Sequence, residues 1–374
     1  MKNIAPQGNT KMPVRGVVCA LFAALLFGTT TPFAKGLLNE ISPVLLAGLF
    51  YLGSGIGLGI YLLTTELAAQ ITGQEKNSEA SLQKTDLPWL AGAILFGGII
   101  APVLLMLGLS TIRASSASLF LNLEGVFTAL IAWFVFHENF DKRIFLGMLA
   151  IVLGGIILSA TEVETAALTA NFSGSLLIAG ACLGWAIDNN LTRKVSNANP
   201  AQITCIKGLS AGLINVSLAM KFTEAALTTP GPIYIGTALL VGFLGYGISL
   251  VFFVLALRHL GTARSGAYFA LAPFVGALIA IVLVNEPITP SFTTASALMA
   301  LGLWLHLSES HSHCHGHEAT THAHKHSHDE HHNHIHLHIS DTPPGEPHTH
   351  VHSHEPLAHS HAHFPDAHHR HKHF

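Results

Sequence analysis

Charge is scarce in this sequence. Only 10% of its 374 residues are Asp, Glu, Lys or Arg, while 50% are hydrophobic and the mean hydropathy is +0.48. A soluble domain of that composition would carry large exposed apolar patches, so the chain is expected to live in lipid. No basic stripe runs through it, which excludes nucleic acid as a partner. There is no glycine loop followed by Lys and Ser or Thr, and no nucleophile with a base at recognisable spacing, so no enzyme is expected. Cysteine is almost missing: of four, Cys19, Cys182 and Cys205 sit inside apolar stretches and read as small hydrophobes, with no disulfide framework. Cys314 differs, because it lies among histidines. The formal charge of -3 carries little weight, since 27 His titrate near neutrality.

Long apolar runs fill the space that charge leaves. Ten candidate spans are read at 16–38, 43–63, 88–109, 114–136, 145–160, 174–191, 201–220, 233–257, 267–284 and 291–307. Their lengths suit the hydrocarbon thickness, and the fold class is an all-α integral membrane protein. The first run is too long for a signal-peptide core and lacks a small-residue cleavage site, so it is expected to be retained. Lys35, near its end, is expected to snorkel to the interface. In the second run Gly53, Gly55, Gly57 and Gly59 leave two faces with little bulk, as close helix packing requires. The loop at 64–86 is a solvated linker.

The chain is built twice. LFLNLEGVFTALIAWFVFHE (119–138) and AYFALAPFVGALIAIVLVNE (267–286) align with Glu138 on Glu286, which places the ALIA of 129–132 on the ALIA of 277–280 without a gap. Each copy follows a polar step holding Arg and Ser, at 113–118 and 261–266. A repeat of this scale signals paired structural halves. With an N-terminus inside, the inner segments collect Lys2, Lys11, Arg15, Lys76, Lys84, Lys142, Arg143, Arg193, Lys194, Arg258 and Arg264, whereas the outer ones collect Lys35, Arg113 and Lys221. That bias places both termini in the cytoplasm of a bacterial-type inner membrane. Five spans per half then turn the second half upside down relative to the first.

Ten spans in two five-helix halves, opening with ALLFGTTTPFAKGLL and carrying NLEGVFTALIAWFVFHE in the fourth span, resemble the EamA family of the drug/metabolite transporter superfamily. The resemblance covers roughly residues 14–308 and divides the chain into an N-terminal segment (1–13), two repeats (14–161 and 173–308) and a tail (309–374). It implies a secondary transporter with alternating access and a central cavity between the halves. The usual Glu-Pro pair of the fourth span is Glu124-Gly125 here, and Ala272-Pro273 in the repeat, so the Glu stands in one half only.

Residues able to carry chemistry are few. Glu124 lies mid-span, where a charge costs roughly 2.5–3.5 kcal/mol on insertion scales, so it either takes a coupling proton or cationic substrate, or stays protonated and bonds a neighbouring helix. In GWAIDNNLTRK, Asp188, Asn189 and Asn190 point to different sides of a helix, so at most two can face one cavity. Asp188 is read either as part of a polar substrate patch with Thr192 or as the ion-pair partner of Lys207. Trp133 and Trp304 read as anchors, whereas Trp185 is three residues from Asp188 and near its face.

The tail holds 24 of the 27 His, in the runs HSHCHGH, HAHKHSHDEHHNHIHLH, HTHVHSH and HSHAH. With few apolar residues to fold it, the tail is expected to be disordered without metal. Its candidate ligands are His311, His313, Cys314, His315, His317, His322, His324, His326, His328, His331, His332, His334, His336, His338, His348, His350, His352 and His354. Imidazole suits Zn, Ni, Co and Cu, although the fixed spacing of a structural zinc site is missing. The core offers no mid-span His, since His137, His259 and His306 sit at span ends.

The leading expectation is therefore a secondary transporter of a small metabolite or polar solute, needing no cofactor. Two alternatives stand beside it: a divalent transition-metal transporter whose tail gathers ions, and a non-transporting membrane metal sensor. Reporters fused to either end of the chain are expected to read out from the cytoplasm, as tested by a topology assay; a signal from opposite sides would refute an even number of crossings.

Overall fold

The computed structural model describes residues 14–72, 82–136, 142–162, 168–195, 198–222, 230–307, 312–317, 320–326, 348–354 and 357–362. Its membrane part is all-helical. The first half runs α1 (Val14–Leu37), α2 (Pro43–Thr72), α3 (Leu87–Ala93), a π-helical stretch (Ile94–Ile100), α4 (Ala101–Thr111), α5 (Ala114–Phe120), α6 (Leu123–Phe136) and α7 (Lys142–Glu162). The second runs α8 (Leu168–Val195), α9 (Pro200–Phe222), α10 (Pro232–Gly242), a π-helical stretch (Phe243–Ile248), α11 (Ser249–Phe269), α12 (Ala272–Val284) and α13 (Pro290–Leu307). Four helices, α2, α9, α10 and α13, start on Pro, whose fixed φ suits a first turn and whose missing N–H would be unpaired there anyway.

Among the described residues seven helical segments are long and apolar enough to cross a membrane, and α12 and α13 are shorter apolar helices. Ten spans were expected; the difference lies in those two and in α8, whose hydropathy is lowered by Asp188, Asn189 and Asn190. The fourth expected span is also not one rod, because Leu121 and Asn122 interrupt it between α5 and α6. Ala270 and Leu271 make the matching interruption between α11 and α12.

The packing exchanges the two halves. Helix α1 lies on α11 and α12, as α8 lies on α4 and α6, while α2 pairs with α9 and α7 with α13. The glycines of α2 make this closeness available. A Cβ on Gly55 would strike the backbone of Leu209, and one on Gly208 would sit 2.6 Å from Gly55 N, so α2 and α9 touch main chain to main chain. On the other face, a Cβ on Gly53 would strike the Leu239 carbonyl and one on Gly57 the Phe243 ring. Gly59 has ordinary room, with Cys205 Sγ at 3.6 Å from its added Cβ.

The tail is described at four short segments. Strands β1 (Ser312–His317), β2 (Thr320–His326), β3 (His348–His354) and β4 (Leu357–Ala362) form two antiparallel pairs, β1 with β4 and β2 with β3. The alternate spacing of the histidines is a period of two, which matches a strand. Residues 1–13, 318–319, 327–347 and 363–374 lie outside the described residues, as do Glu138 and His137.

Gly55→Val is expected to lower stability by about 1–3 kcal/mol or more, as overpacking does, whereas Gly59→Ala stays near neutral. Thermal unfolding of the two variants in detergent checks the contrast.

Candidate functional site

Helix α8 presents Trp185, Asp188, Asn189 and Thr192 on one face, by spacings of three and four residues. Asp188 forms a salt bridge with Lys207 of α9, and its second oxygen accepts a hydrogen bond from Thr192 Oγ1 at 2.9 Å. Both partners are 5% exposed, so the pair is removed from water and neutralises itself. Such a pair holds only when its remaining lone pairs are also satisfied, which Thr192 accomplishes.

Gly97 lets Asp188 into this position. It lies in the first π-helical stretch, and a Cβ there would overlap the Asp188 carboxylate. The widened π turn also turns its carbonyls toward neighbours: Gly97 O accepts from Trp185 Nε1 at 3.1 Å and from Tyr51 Oη, and Gly98 O accepts from Asn215 Nδ2 at 3.0 Å. Three helices, α2, α8 and α9, are thereby tied to one irregular turn. The second π-helical stretch is tied in the same way to α2, where Ser54 Oγ donates to Tyr246 O at 3.0 Å.

Glu124 stands in the first turn of α6, beyond the interruption at 121–122. A helix starting mid-span directs its positive end at that carboxylate, which favours negative charge there. Glu124 Oε1 accepts from Asn189 Nδ2 at 2.6 Å, and no Lys or Arg pairs with it among the described residues. Next to it stands a wall of rings. Phe27 lies 6.0 Å from Trp185, 5.6 Å from Tyr246 and 5.3 Å from Phe269 between ring centroids; Tyr51 lies 5.2 Å from Tyr246, and Phe253 lies 4.6 Å from Phe269. The buried Tyr246 hydroxyl has no hydrogen-bond partner among the described residues.

These groups enclose a cavity of about 30 Å³ lined by Phe27, Tyr51, Glu124, Trp185, Asp188, Asn189, Lys207, Tyr246, Leu250, Phe253 and Phe269. That is room for water rather than for a metabolite, whose pocket would measure about 300 Å³ or more. A larger groove of about 260 Å³ lies between Leu271, Phe274, Ala300, Leu303 and Trp304. It opens beside the exposed Trp304 and offers no charge to select a polar solute, so the smaller cavity is the candidate site.

Five of the six substrate or coupling candidates meet there: Glu124, Trp185, Asp188, Asn189 and Lys207. Asn190 does not, and its Nδ2 donates to Ala186 O of its own helix at 2.8 Å. Sequence reasoning missed the ring wall and Gly97. The usable signal was a tyrosine hydroxyl inside an apolar run, as at Tyr51 and Tyr246. Lys35, near the end of α1, donates from its Nζ to Leu109 O at 2.7 Å and Ile112 O at 2.8 Å, at the C-terminal end of α4. Cations are favoured at that end, where carbonyls lack helical partners. Across the same junction, Glu286 accepts from the Ala114 and Ser115 N–H groups at 2.9 Å each, capping α5. Asn285 precedes it in the left-handed region at φ 53, closing α12.

No group of three or more His, Cys, Asp or Glu able to hold a metal ion forms among the described residues. Of the tail candidates, His313, Cys314, His315 and His317 lie on β1, His322, His324 and His326 on β2, and His348, His350, His352 and His354 on β3. His311, His328, His331, His332, His334, His336 and His338 lie outside the described residues.

Asp188→Asn is expected to cost on the order of 3–5 kcal/mol, because Lys207 is left as a buried uncompensated charge. Adding Lys207→Met should recover much of that loss in a detergent melting experiment, and no recovery would show that the pair is not what holds α8 to α9.

The pattern of the EamA-like transporter family matches the chain twice, at residues 14–160 and 172–308. An "uncharacterized transporter" of Methanothermobacter thermautotrophicus is 26% identical over 294 residues, covering 77% of this chain and 85% of that protein. A "probable amino-acid metabolite efflux pump" of Salmonella typhimurium is 24% identical over 203 residues, covering 51% of this chain and 66% of the pump. A crystal structure sharing 16% sequence identity superposes with a TM-score of 0.57 over 78% of this chain and 94% of its own, which establishes a common fold. These relatives lend no support to a metal-transport role. With both matched segments spanning most of its length, the chain belongs to the EamA-like transporter family of membrane proteins.

Proposed function

We propose that this protein is a secondary active transporter that moves a small amine-bearing metabolite across the inner membrane by alternating access, with the Glu124 cavity as the solute site. The observation that carries this reading is Glu124 itself, a carboxylate with no ion-pair partner among the described residues, set beside aromatic rings at the contact between the two matched segments. Lys207 is already occupied by Asp188, so the cavity presents net negative charge to a solute when Glu124 is ionised. An ammonium group satisfies that charge, and the ring wall of Phe27, Tyr51, Trp185 and Tyr246 accepts either its cationic face or an apolar body. The amino-acid metabolite pump among the relatives is in keeping with such a solute.

The same reading takes the ten helices as spans of an inverted repeat with both termini cytoplasmic. It is supported by the exchanged packing of the halves and by the double family match. A five-helix half reverses direction, so its Glu124-bearing break and its partner break at 270–271 approach the cavity from opposite membrane faces. The transport coupling is assigned to Glu124, which exchanges a proton for the ammonium.

In proteoliposomes, wild-type protein should carry radiolabelled amines or amino-acid derivatives at a rate that depends on the pH gradient. Glu124→Gln should reduce that flux by about 100-fold or more and flatten its pH profile, given that general proton transfer by a positioned group contributes about 10²–10⁴-fold. Normal flux by Glu124→Gln across a pH series would sink the assignment of Glu124.

A further inference from the structure

Between α4 and α5 the backbone leaves the helix for two residues. Ile112 (φ -120, ψ 168) and Arg113 (φ -65, ψ 148) are extended, so the last carbonyls of α4 and the first N–H groups of α5 need partners from elsewhere. Two charges supply them. Lys35 of α1 donates to Leu109 O and Ile112 O, and Glu286, just past α12, accepts from the Ala114 and Ser115 N–H groups. One of these charges belongs to each of the two matched segments. The repeat is built differently at this point, because α11 continues as helix through 261–266, the positions that align with 113–118.

What this step holds in place is the element that leads to the cavity. Helix α5 is buried along its whole length against α1, α8 and α12. Its last residue covers Cys182 of α8, whose Sγ donates to Phe120 O at 3.5 Å. Through the break at 121–122 it passes directly into α6 and Glu124. We infer that the α4–α5 step is a gate over one mouth of the cavity, latched from two sides by Lys35 and Glu286. With both termini inside, that mouth is the outer one.

The chemistry of the contacts suits a fastener that releases. All four bonds run from a charged side chain to main chain at a helix end, where the local dipole favours that sign of charge. Ser110 and Thr111 are exposed beside the step, so water at the mouth can take over the freed carbonyls, N–H groups and charges when the latch opens. The same bonds made deep in the bundle would leave those groups unpaired on release. Alternating access requires one mouth to stay shut while the other opens, and an extended step in one half alone fastens the two mouths differently. The inference rests on the transport reading for the reason that the cavity must open, but its test needs neither solute nor flux, so the two stand or fall separately.

The test is thiol labelling of the full chain in right-side-out membrane vesicles, with a membrane-impermeant maleimide added outside and mass spectrometry reading each cysteine separately. Cys182, fully buried beneath the end of α5, reports the gate. Cys205, buried on α9 with its Sγ donating to Gly55 O at 3.3 Å, reports the rest of the bundle. Both should label slowly in the native chain. Glu286→Gln and Lys35→Met should each speed labelling of Cys182 by about tenfold or more, the factor that one lost hydrogen bond to a charged group is worth, and leave Cys205 unchanged. Unchanged labelling of Cys182 in either variant would overturn a latch fastened from two sides. Equal acceleration at Cys182 and Cys205 would overturn it as well, because the contacts would then hold the whole fold together rather than one mouth shut.

Discussion

A lysine and an aspartate buried inside a lipid-embedded bundle have to find each other, and the pairing of Asp188 with Lys207 sets the terms for everything around it. Either charge alone would cost roughly 2.5–3.5 kcal/mol at the middle of a span on insertion scales. Joined, they draw α8 onto α9 and bring Asp188 against the one residue, Gly97, whose missing side chain admits it. Trp185 is carried along on the same helix face and reaches the Gly97 carbonyl, where Tyr51 of α2 also donates. The pair also decides by subtraction. With Lys207 occupied, Glu124 is left with an amide, Asn189, as its hydrogen-bond partner.

Irregular backbone recurs at matching places in the two halves, and each instance has a use. Both third helices carry a π-helical stretch, at Ile94–Ile100 and Phe243–Ile248, and each receives a hydrogen bond from a polar side chain of α2. Both fourth helices are interrupted, at 121–122 and 270–271. Non-helical backbone at membrane depth is tolerated where protein buries it or a cavity lies beside it, and both conditions hold here. The halves differ where function is concerned: the first interruption is followed by Glu124, the second by Ala272 and Pro273.

Apolar runs made the helices legible in the sequence, and lone charges within those runs made most of the site legible. Glu124, Asp188 and Lys207 stand out because lipid makes a charge expensive, so each must have a reason. The rings of Phe27, Phe253 and Phe269 did not stand out, because in an apolar span a phenylalanine facing lipid and one facing a cavity read alike. Gly97 was hidden for another reason: its contribution is a carbonyl and an empty Cβ position, neither of which a residue pattern records. The partners of Lys35 were hidden because the carbonyls it reaches belong to α4, 74 or more residues away in sequence. Glu286, in contrast, was marked by the repeat as a shared position, although its use as a cap on α5 in the other half only appears once the halves are packed.

That cap bears on how the cavity can open. At about 30 Å³ it has room for water and not for a metabolite, so the solute site proposed there requires helices to part. At the α4–α5 junction, parting them means giving up the two bonds from Ala114 and Ser115 to Glu286 and the two from Lys35 to Leu109 and Ile112, all assisted by a charge. Such bonds are roughly twice as strong as neutral ones. Around Val195, at the far end of α8, Leu90, Val195, Ala198 and Ile203 form a small apolar cluster, and Lys194 Nζ stands 5.6 Å from the centre of the Trp89 ring. Dispersion contacts of that kind are non-directional and re-form after a slide, whereas a carboxylate seated on two N–H groups is either in place or lost. The Glu286 cap is therefore a latch with defined geometry, whereas the apolar cluster around Val195 is a surface that can shift.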